Sequence, residues 1–464
     1  MKKILLLIGL AIIGGVAFVF FSPSAQKQLQ LAAVDRIGDA AVSRMENTSD
    51  TDRSPVAAQF ISIPIEAREI SAGVYQATGV GNVQLIKTSE GDVLFDTGLA
   101  LQTPKQIEAL ANARGDAPLR YIVLSHSHAD HTGGAKLWAE KGTKLVAHAE
   151  FPEEQRYLTE LQQYFWNRNR TLFPFLGERP PMRGPLAYGG LEPDLLVQNG
   201  APLDLSMGGV SIEVIAAPGA EGADNLLLWL PEKKILFSGD FFGPLFPQFP
   251  NIFTMRGEKI RKPIEYINSL QTVIGLQPEI IVPSHLAPQT DMAAIMDGLV
   301  KMRDAVQYVH DETVKGMNAG KSVYDLMAEV TLPEALSLSQ EHGRVSWAVK
   351  SIWEYYATWF HFDRTTELYE VPASAVASDL VEASGAVAIV SRARAHFDAG
   401  RPLHALHLVD VVLENDPQDP PALELRADAL NFLLERAKSE LGNAYEIYWL
   451  TARLRTTRAA IAAL

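Results

Sequence analysis

The sequence predicts an α/β fold, a layered sandwich of sheets and helices, followed by an all-α domain. Between about residues 70 and 285, apolar runs of strand length alternate with stretches of helical pattern, which is typical of stacked sheets covered by helices. From Ala294 onward the apolar residues recur at helical spacing. A chain of 464 residues is long enough for two or three domains. We expect the α/β domain to span residues 67–298 and the helical domain to span residues 299–464.

The composition is that of a globular protein, with 47% hydrophobic and 21% charged residues. The formal net charge is −14, which excludes a general basic surface for nucleic acid. The sequence contains no cysteine. It therefore has no disulfide framework, and any protein ligands to a metal must be His, Asp or Glu.

The N-terminus has the pattern of an export segment. Lys2 and Lys3 precede the uncharged run Ile4–Phe21. Residues 1–25 are therefore either a signal peptide or a single membrane-spanning helix. Both interpretations export the rest of the chain, so we expect a periplasmic, secreted or inner-membrane-anchored protein. Only the anchored form would keep a membrane contact. Residues 26–66 lack a clear period and are expected to be a linker with some helix.

The first elements of the α/β part are expected to be strands. GVYQATG (73–79) and NVQLIKTS (82–89) are typical of paired strands, and GDVLFDTG (91–98) predicts a third strand that ends at Asp96. TPKQIEALANAR (103–114) has a helical pattern, with Thr103 as its expected cap. LVAHAE (145–150) predicts another short strand.

A cluster of metal-ligand side chains lies between that helix and that strand. Tyr121–Leu124 is a short apolar run typical of a buried strand, and HSHADH (126–131) follows it after Ser125. The cluster consists of His126, His128, Asp130 and His131. Histidine is scarce, with 11 in the whole chain, so this density is not expected by chance. Imidazoles and carboxylates together suit a cation such as zinc.

Three further candidate ligands also lie at or just beyond strand ends. Glu221 follows the strand in SIEVIAAPGAEG (211–222), Asp240 ends ILFSGD (235–240), and His285 ends PEIIVPSH (278–285). The segment between these strands and the first cluster, residues 151–200, is rich in aromatics and irregular in pattern. It is interpreted either as a wall of a substrate cleft or as a packed surface excursion.

The HxHxDH pattern resembles the signature of the metallo-β-lactamase superfamily. That resemblance implies an αββα sandwich that binds two metal ions. The superfamily usually has a third histidine just after a Pro-Gly dipeptide, whereas this sequence has Glu221 after Pro218-Gly219. A carboxylate at this point is similar to the alkyl sulfatase branch of the superfamily.

Other segments resemble the same branch. PNIFTMRG (250–257) resembles the segment with a sulfate-holding arginine, and the matching residue is Arg256. Residues 308–336, 343–363 and 393–430 resemble its helical segments, the last of them its dimerisation helices. The helical part runs to Leu464 without a counterpart of the family's third, lipid-carrier-like domain.

The resemblance implies a specific ligand assignment. His126, His128 and Glu221 would hold one zinc ion, and Asp130, His131 and His285 the other. Asp240 would bridge the two ions, where the sulfatases usually have Glu. Three carboxylates opposite two Zn²⁺ leave a net charge near +1, which favours an anionic ester as substrate.

The predicted function is therefore hydrolysis of small sulfate esters by a homodimeric, exported enzyme. Arg256 would bind the sulfate oxygens, unless it serves only as an ion-pair partner of Glu258. The alternatives are another hydrolase of the same superfamily, such as a lactonase or phosphodiesterase, and a membrane-tethered, non-catalytic interaction protein. The resemblance also implies that Asp96 braces the metal loop. The pair His310 and Asp311 is expected to be structural.

Overall fold

The computed structural model describes residues 22–47, 64–174, 176–253 and 255–464. The apolar run Ile4–Phe21, expected to be a signal peptide or an anchor, lies outside these ranges. Within them, no single helix has both the length and the apolar character needed to cross a membrane. Ala373–Ser384 and Ala386–Asp398 meet that criterion only as a pair bent by 103°.

The α/β part contains two β-sheets. One has seven strands in the order β1-β2-β3-β4-β5-β6-β7, and the other has five in the order β12-β11-β10-β9-β8. The strands are β1 (Ala67–Ser71), β2 (Val74–Ala77), β3 (Val83–Thr88), β4 (Gly91–Phe95), β5 (Leu119–Val123), β6 (Lys144–His148), β7 (Leu195–Val197), β8 (Leu203–Asp204), β9 (Glu213–Ala216), β10 (Leu226–Leu230), β11 (Ile235–Gly239) and β12 (Ile280–Pro283).

The helices of the α/β part lie between its strands in the chain, and one longer helix precedes the first strand. They are α1 (Pro23–Asn47), α2 (Thr103–Arg114), α3 (Ala129–Thr132), α4 (Ala135–Trp138), α5 (Phe151–Glu160), α6 (Gln162–Leu172) and α7 (Pro263–Leu276).

The two sheets pack face to face, and the alternation of side chains along each strand explains why. Val93 and Phe95 of β4 point into the core between the sheets, where Phe95 meets Phe237 of β11 at a ring distance of 5.9 Å. Leu94 points the other way and packs with Leu110 of α2. Both faces of the sheet are therefore buried, which accounts for the continuous apolar runs in the sequence.

The second sheet is covered by helices on its outer face. Leu227 and Trp229 of β10 share a core with Leu270 of α7 and with residues of the helical part, while Leu228 lies between the sheets. The layers are thus helix, sheet, sheet and helix. The predicted α/β sandwich followed by an all-helical part is confirmed.

The helical part contains eight α-helices among the described residues. They are α8 (Met292–Asn318), α9 (Val323–Glu329), α10 (Val345–Ala357), α11 (Ala377–Ser384), α12 (Ala386–Asp398), α13 (Pro402–Asn415), α14 (Pro420–Ser439) and α15 (Ala444–Ala462). Leu172 of α6, Phe253 and Tyr445 of α15 form a small shared core. The start of α15 is thereby held close to the end of α6.

Two local features differ from the sequence-based expectation. Thr103 is not the cap of α2: Gln102 precedes the helix, and the Thr103 hydroxyl donates a hydrogen bond to the carbonyl of Leu99 at 3.1 Å. Residues 151–172, expected to be irregular, form the two helices α5 and α6. Most of α1 lies in residues 26–66, the segment expected to be a linker with some helix. Asp39 of α1 forms an ion pair with Lys105 of α2.

Candidate active site

The chemistry-bearing residues meet at one edge of the two sheets. Strands β4 and β5 are parallel, as are β11 and β12, so their carboxyl ends point the same way. The two sheets approach closely there, because a Cβ on Gly239 would lie 2.4 Å from Cβ of Ser125. Gly239 has a φ of 55°, a conformation that suits glycine. The turn after β11 can therefore carry Asp240 into contact with the loop after β5.

Four side chains form the first group at this edge, here called the four-residue cluster: Asp130, His131, Asp240 and His285. Oδ2 of Asp240 lies 2.9 Å from Nε2 of His285 and 3.3 Å from Nε2 of His131. Oδ2 of Asp130 lies 3.5 Å from Nε2 of His131 and 3.6 Å from Nε2 of His285. All four candidate ligand atoms lie within 4.8 Å of one another.

The outer nitrogens of these imidazoles are already bound. Nδ1 of His131 lies 2.8 Å from Oδ2 of Asp96, and Nδ1 of His285 contacts the carbonyl oxygen of Val80. Both acceptors require a protonated Nδ1, so Nε2 is the nitrogen of each ring that faces the cluster and would bind a metal ion. Nε2 of His131 and Oδ1 of Asp240 are buried without hydrogen-bond partners among the described residues. Because such atoms need a partner, this donor set fits a divalent metal ion.

The acidic and basic side chains of the four-residue cluster shift one another's pKa values. Burial opposes ionisation of Asp240, but His131 and His285 outweigh it and hold its pKa well below the usual value. Burial likewise lowers the pKa of His131, whereas Asp240 and Asp130 raise it well above the usual value. The carboxylates therefore stay ionised and carry the negative charge that attracts a cation.

A second group, here called the trio, consists of His126, His128 and Glu221. Nε2 of His126 lies 2.7 Å from Nδ1 of His128, and Nδ1 of His128 lies 3.8 Å from Oε2 of Glu221. Burial, followed by the neighbouring His131, lowers the pKa of His126 well below its usual value, so this imidazole is neutral. A neutral imidazole is the form that binds metal.

Two arginines and a second glutamate surround the trio: Arg256 and its candidate partner Glu258, which the sequence had indicated, and Arg261, which it had not. Arg256 lies 3.2 Å from Oε1 of Glu258, so the ion pair considered as its alternative role does form. Arg261 donates to both oxygens of Glu221, at 2.8 and 2.7 Å. Sequence reasoning missed Arg261 because it lies 40 residues from Glu221 in the chain and belongs to no local motif.

The helical part contributes His342, which sequence reasoning also missed. His342 lies in the turn before α10 and packs on Tyr445 at a ring distance of 5.3 Å. Burial, followed by the positive charge of Arg256 and Arg261, lowers the pKa of His342 to about 3. This imidazole is neutral at physiological pH and can donate or accept one hydrogen bond at each nitrogen.

A cavity of about 1560 Å³ connects these groups with the surface. Its polar end is lined by residues of both groups together with Arg256 and His342. Its walls include Trp166 of α6 and Tyr188, whose hydroxyl donates to the carbonyl of Ser127 at 2.7 Å. Residues 151–200, for which a cleft wall was one of two interpretations, thus contribute to the cavity wall. Further apolar lining comes from Ile37, Leu99, Leu101, Phe173, Leu176, Leu191 and Tyr448.

Other residues singled out in the sequence lie elsewhere. His310 contacts Asp311 and the hydroxyl of Tyr356, both at 2.8 Å. His148 hydrogen-bonds Asn199 at 3.0 Å, behind the site. These imidazoles are bound within the protein scaffold and are not members of either cluster.

Sequence comparisons identify both parts of the chain. The metallo-beta-lactamase superfamily matches residues 77–285, and the alkyl sulfatase dimerisation family matches residues 323–455. A linear primary-alkylsulfatase of Pseudomonas sp. is 26% identical over 331 residues, which cover 65% of this chain and 60% of that protein. An alkyl/aryl-sulfatase of Saccharomyces cerevisiae is 25% identical over 409 residues, which cover 81% of this chain and 62% of that protein. The chain thus spans about three fifths of the length of these relatives.

A solved structure has the same fold. The stereoselective inverting sec-alkylsulfatase Pisa1 from Pseudomonas sp. superposes with a TM-score of 0.74 at 20% identity, covering 90% of this chain and 70% of that one. The resemblance stated from the sequence motifs is confirmed. The chain joins a metallo-β-lactamase domain to an alkyl sulfatase dimerisation domain, and the relatives that it resembles over most of its length are alkylsulfatases.

Proposed function

We propose that the protein hydrolyses sulfate esters of small organic alcohols, with zinc ions as its cofactor. The observation that carries the proposal is that residues of two His/carboxylate groups line one cavity together with Arg256. Relatives that match 65% and 81% of this chain are named as a linear primary-alkylsulfatase and an alkyl/aryl-sulfatase, which supports a sulfate ester as the substrate class.

The four-residue cluster and the trio are the proposed metal positions, with two zinc ions per chain. Zinc held there would polarise a substrate oxygen and lower the pKa of water, so that hydrolysis proceeds at neutral pH. Asp96 orients His131, and the carbonyl of Val80 orients His285. These contacts keep the Nε2 atoms in place and avoid the cost of reorganising them during turnover.

Arg256 and His342 are the proposed sulfate-binding groups. Both line the cavity beside the clusters, and Arg256 offers a planar fork of N–H donors that matches the oxygens of an oxyanion. The neutral His342 adds a donor without repelling the metal ions. Arg256 would also offset the charge that develops on the sulfate group as it leaves.

The apolar wall of the cavity is the proposed site for the alkyl part of the ester. Trp166, Phe173 and Tyr188 line the same cavity as Arg256 and the candidate metal ligands. Contact with such a wall removes apolar surface of the substrate from water, by about 25 cal/mol per Å². We therefore expect affinity to rise with alkyl chain length until the wall is covered.

A homodimer and an exported location complete the proposal. The dimerisation family match over residues 323–455 supports self-association. The basic residues Lys2 and Lys3 followed by Ile4–Phe21 support export to the periplasm or beyond, with the segment either removed or kept as an anchor. Fractionation of cells producing the full chain tests the location.

The decisive experiment uses purified protein loaded with Zn²⁺ and a panel of alkyl sulfates, alkyl phosphates and lactones. We expect release of inorganic sulfate from the sulfates only, and loss of that activity in Asp130→Ala. Activity on lactones or phosphates without activity on sulfates would show that sulfate esters are not the substrate class. Protein that retains no divalent metal and acts on none of the panel would favour a non-catalytic interaction protein.

A further inference from the structure

The carboxylate of the trio is already engaged by a buried cation. Arg261 donates from Nη1 to Oε1 of Glu221 at 2.8 Å and from Nη2 to Oε2 at 2.7 Å, which is a bidentate pair. The side chain of Arg261 is only 2% exposed and does not line the cavity. It is therefore placed behind Glu221, where it acts on the trio and not on a bound substrate.

The same guanidinium belongs to a larger charge network. Its Nη2 lies 3.2 Å from Oε2 of Glu258, the oxygen that also lies 3.3 Å from Nε2 of His128. Oε1 of Glu258 contacts Arg256 at 3.2 Å. The imidazole of His128 is therefore held between Glu258 on one side and the other two members of the trio, His126 and Glu221, on the other.

The two candidate metal positions thus differ in net charge. The four-residue cluster has two carboxylates, Asp130 and Asp240, and neither forms an ion pair with a lysine or arginine in the described part of the chain. Around the trio, two carboxylates (Glu221 and Glu258) face two guanidiniums (Arg256 and Arg261), so their charges cancel. A divalent cation is attracted to the first position and gains little from the second.

We propose that Arg261 makes the two metal positions unequal, so that the four-residue cluster binds a divalent ion tightly and the trio binds a second one weakly. A carboxylate has about four lone-pair positions, so Glu221 can serve Arg261 and a metal ion together. The second ion must still approach a buried guanidinium, and this repulsion lowers its affinity. The inference rests on the metal part of the proposed function and assigns Arg261 a positioning role within it.

The test is a titration of metal-free, full-length protein with Zn²⁺ in competition with a chromophoric chelator. We expect one ion per chain to bind at least about 100-fold more tightly than the second. Arg261→Gln removes the guanidinium charge and should tighten the second step by about tenfold or more, with the first step unchanged. Arg261→Lys keeps the charge but loses the fork, so its second step should stay close to that of the unaltered protein.

Matched variants separate this effect from a general loss of structure. Arg344 is a partly buried arginine that pairs with Glu446 in the helical part. Arg344→Gln should leave the affinities of both metal-binding steps unchanged. If Arg261→Gln does not fold, Glu221→Gln offers a second measurement: it should abolish the weak step and leave the tight one. Folding of each variant is checked by thermal melting.

Three results would overturn the inference, and they differ in what they say about the proposed function. Two ions bound with equal affinity by active protein would refute the role of Arg261 while the sulfatase proposal stands. Protein that binds no divalent ion at either position would refute both. An Arg261→Gln second step no tighter than in the unaltered protein would also refute the role of Arg261.

Discussion

Oδ2 of Asp96 accepts a hydrogen bond from Nδ1 of His131 at 2.8 Å. The same carboxylate accepts from the backbone N–H of Ser125 at 2.7 Å and from the hydroxyl of Ser284 at 2.6 Å. Asp96 thus joins the ends of β4, β5 and β12 at a point that is fully buried. It fixes both the backbone that carries the metal loop and the ring orientation of one candidate ligand.

Asp96→Asn should therefore weaken metal binding without removing a ligand. The amide can also donate to Nδ1, which favours the tautomer that places the proton on Nε2, toward the metal. We expect the affinity of the four-residue cluster for Zn²⁺ to fall by about 10- to 100-fold, as measured by chelator competition. Asp92→Asn is the matched control, since Asp92 is a fully buried aspartate of the same strand that pairs with Lys87 and Arg114 away from the site. It should lower stability and leave metal affinity unchanged; equal metal affinity in the two variants would contradict the role of Asp96.

The sequence allowed most of this site to be predicted because its ligands lie at the ends of strands. A loop after a buried strand has little freedom, so the HSHADH motif and the strand ends at Asp240 and His285 could be placed together before the structure was known. The structure brings these side chains together, with Asp240 in the cluster of Asp130, and their role as metal ligands stays a prediction. Whether Asp240 bridges two ions stays a prediction.

The parts that escaped prediction depend on contacts between distant segments. Arg261 lies in an irregular stretch before α7, and nothing in its neighbours indicates that it will meet Glu221. His342 reaches the cavity only because the helical part packs on the α/β part through Phe253 and Tyr445. Helix α6 was missed because its aromatic and asparagine-rich sequence has weak helical propensity, which tertiary packing overrides.

Arg256→Lys should separate charge from geometry in sulfate binding. Lysine keeps the positive charge but cannot present two parallel N–H donors to a sulfate group. We expect kcat/KM for an alkyl sulfate to fall by about 100-fold, which corresponds to about 2.7 kcal/mol, and inhibition by inorganic sulfate to weaken as well. The control is Arg394→Lys, at an exposed arginine of α12 that pairs with Asp428. Unchanged kinetics in Arg256→Lys would mean that Arg256 serves only its partner Glu258.

Asp224 gives the protein a pH-dependent stability that the site does not require. Burial, followed by repulsion from Glu154, raises the pKa of this carboxyl from 3.8 to about 7. An acid whose pKa is raised on folding binds its proton more tightly in the folded state. Its contribution to stability is therefore largest below the unfolded pKa and is lost as the pH rises towards 7.

Asp224→Asn removes the free-energy cost of ionising this buried carboxyl at high pH. The stability advantage of the variant should grow by about 3 kcal/mol between about pH 5 and pH 8.5, in chemical denaturation of the metal-free protein. Asp204→Asn is the comparison, because hydrogen bonds from Ser206 lower the pKa of that exposed carboxyl and no gain at high pH is expected. A pH-independent difference between Asp224→Asn and the unaltered protein would show that Asp224 does not titrate in this range.

The segment after α10 exposes aromatic side chains that a monomer would leave in water. The side chain of Phe362 is 87% exposed and that of Trp359 is 72% exposed, and Tyr369 is also largely exposed. Apolar exposure concentrated in one segment marks a protein interaction site, and this segment lies within the dimerisation family match. Other aromatic residues close by are instead packed within the chain, as Trp347 of α10 is on Phe253 at a ring distance of 4.9 Å.

We therefore expect the double substitution Trp359→Glu with Phe362→Glu to convert a dimer into a monomer, because two buried charges without partners strongly oppose association. Light scattering after size-exclusion chromatography measures the mass directly. Tyr324→Glu is the matched control, since Tyr324 is 70% exposed on α9, outside the segment. That variant should remain dimeric, and all three proteins should melt at similar temperatures at low concentration. A dimer that persists in the double variant would place the interface elsewhere in the helical part.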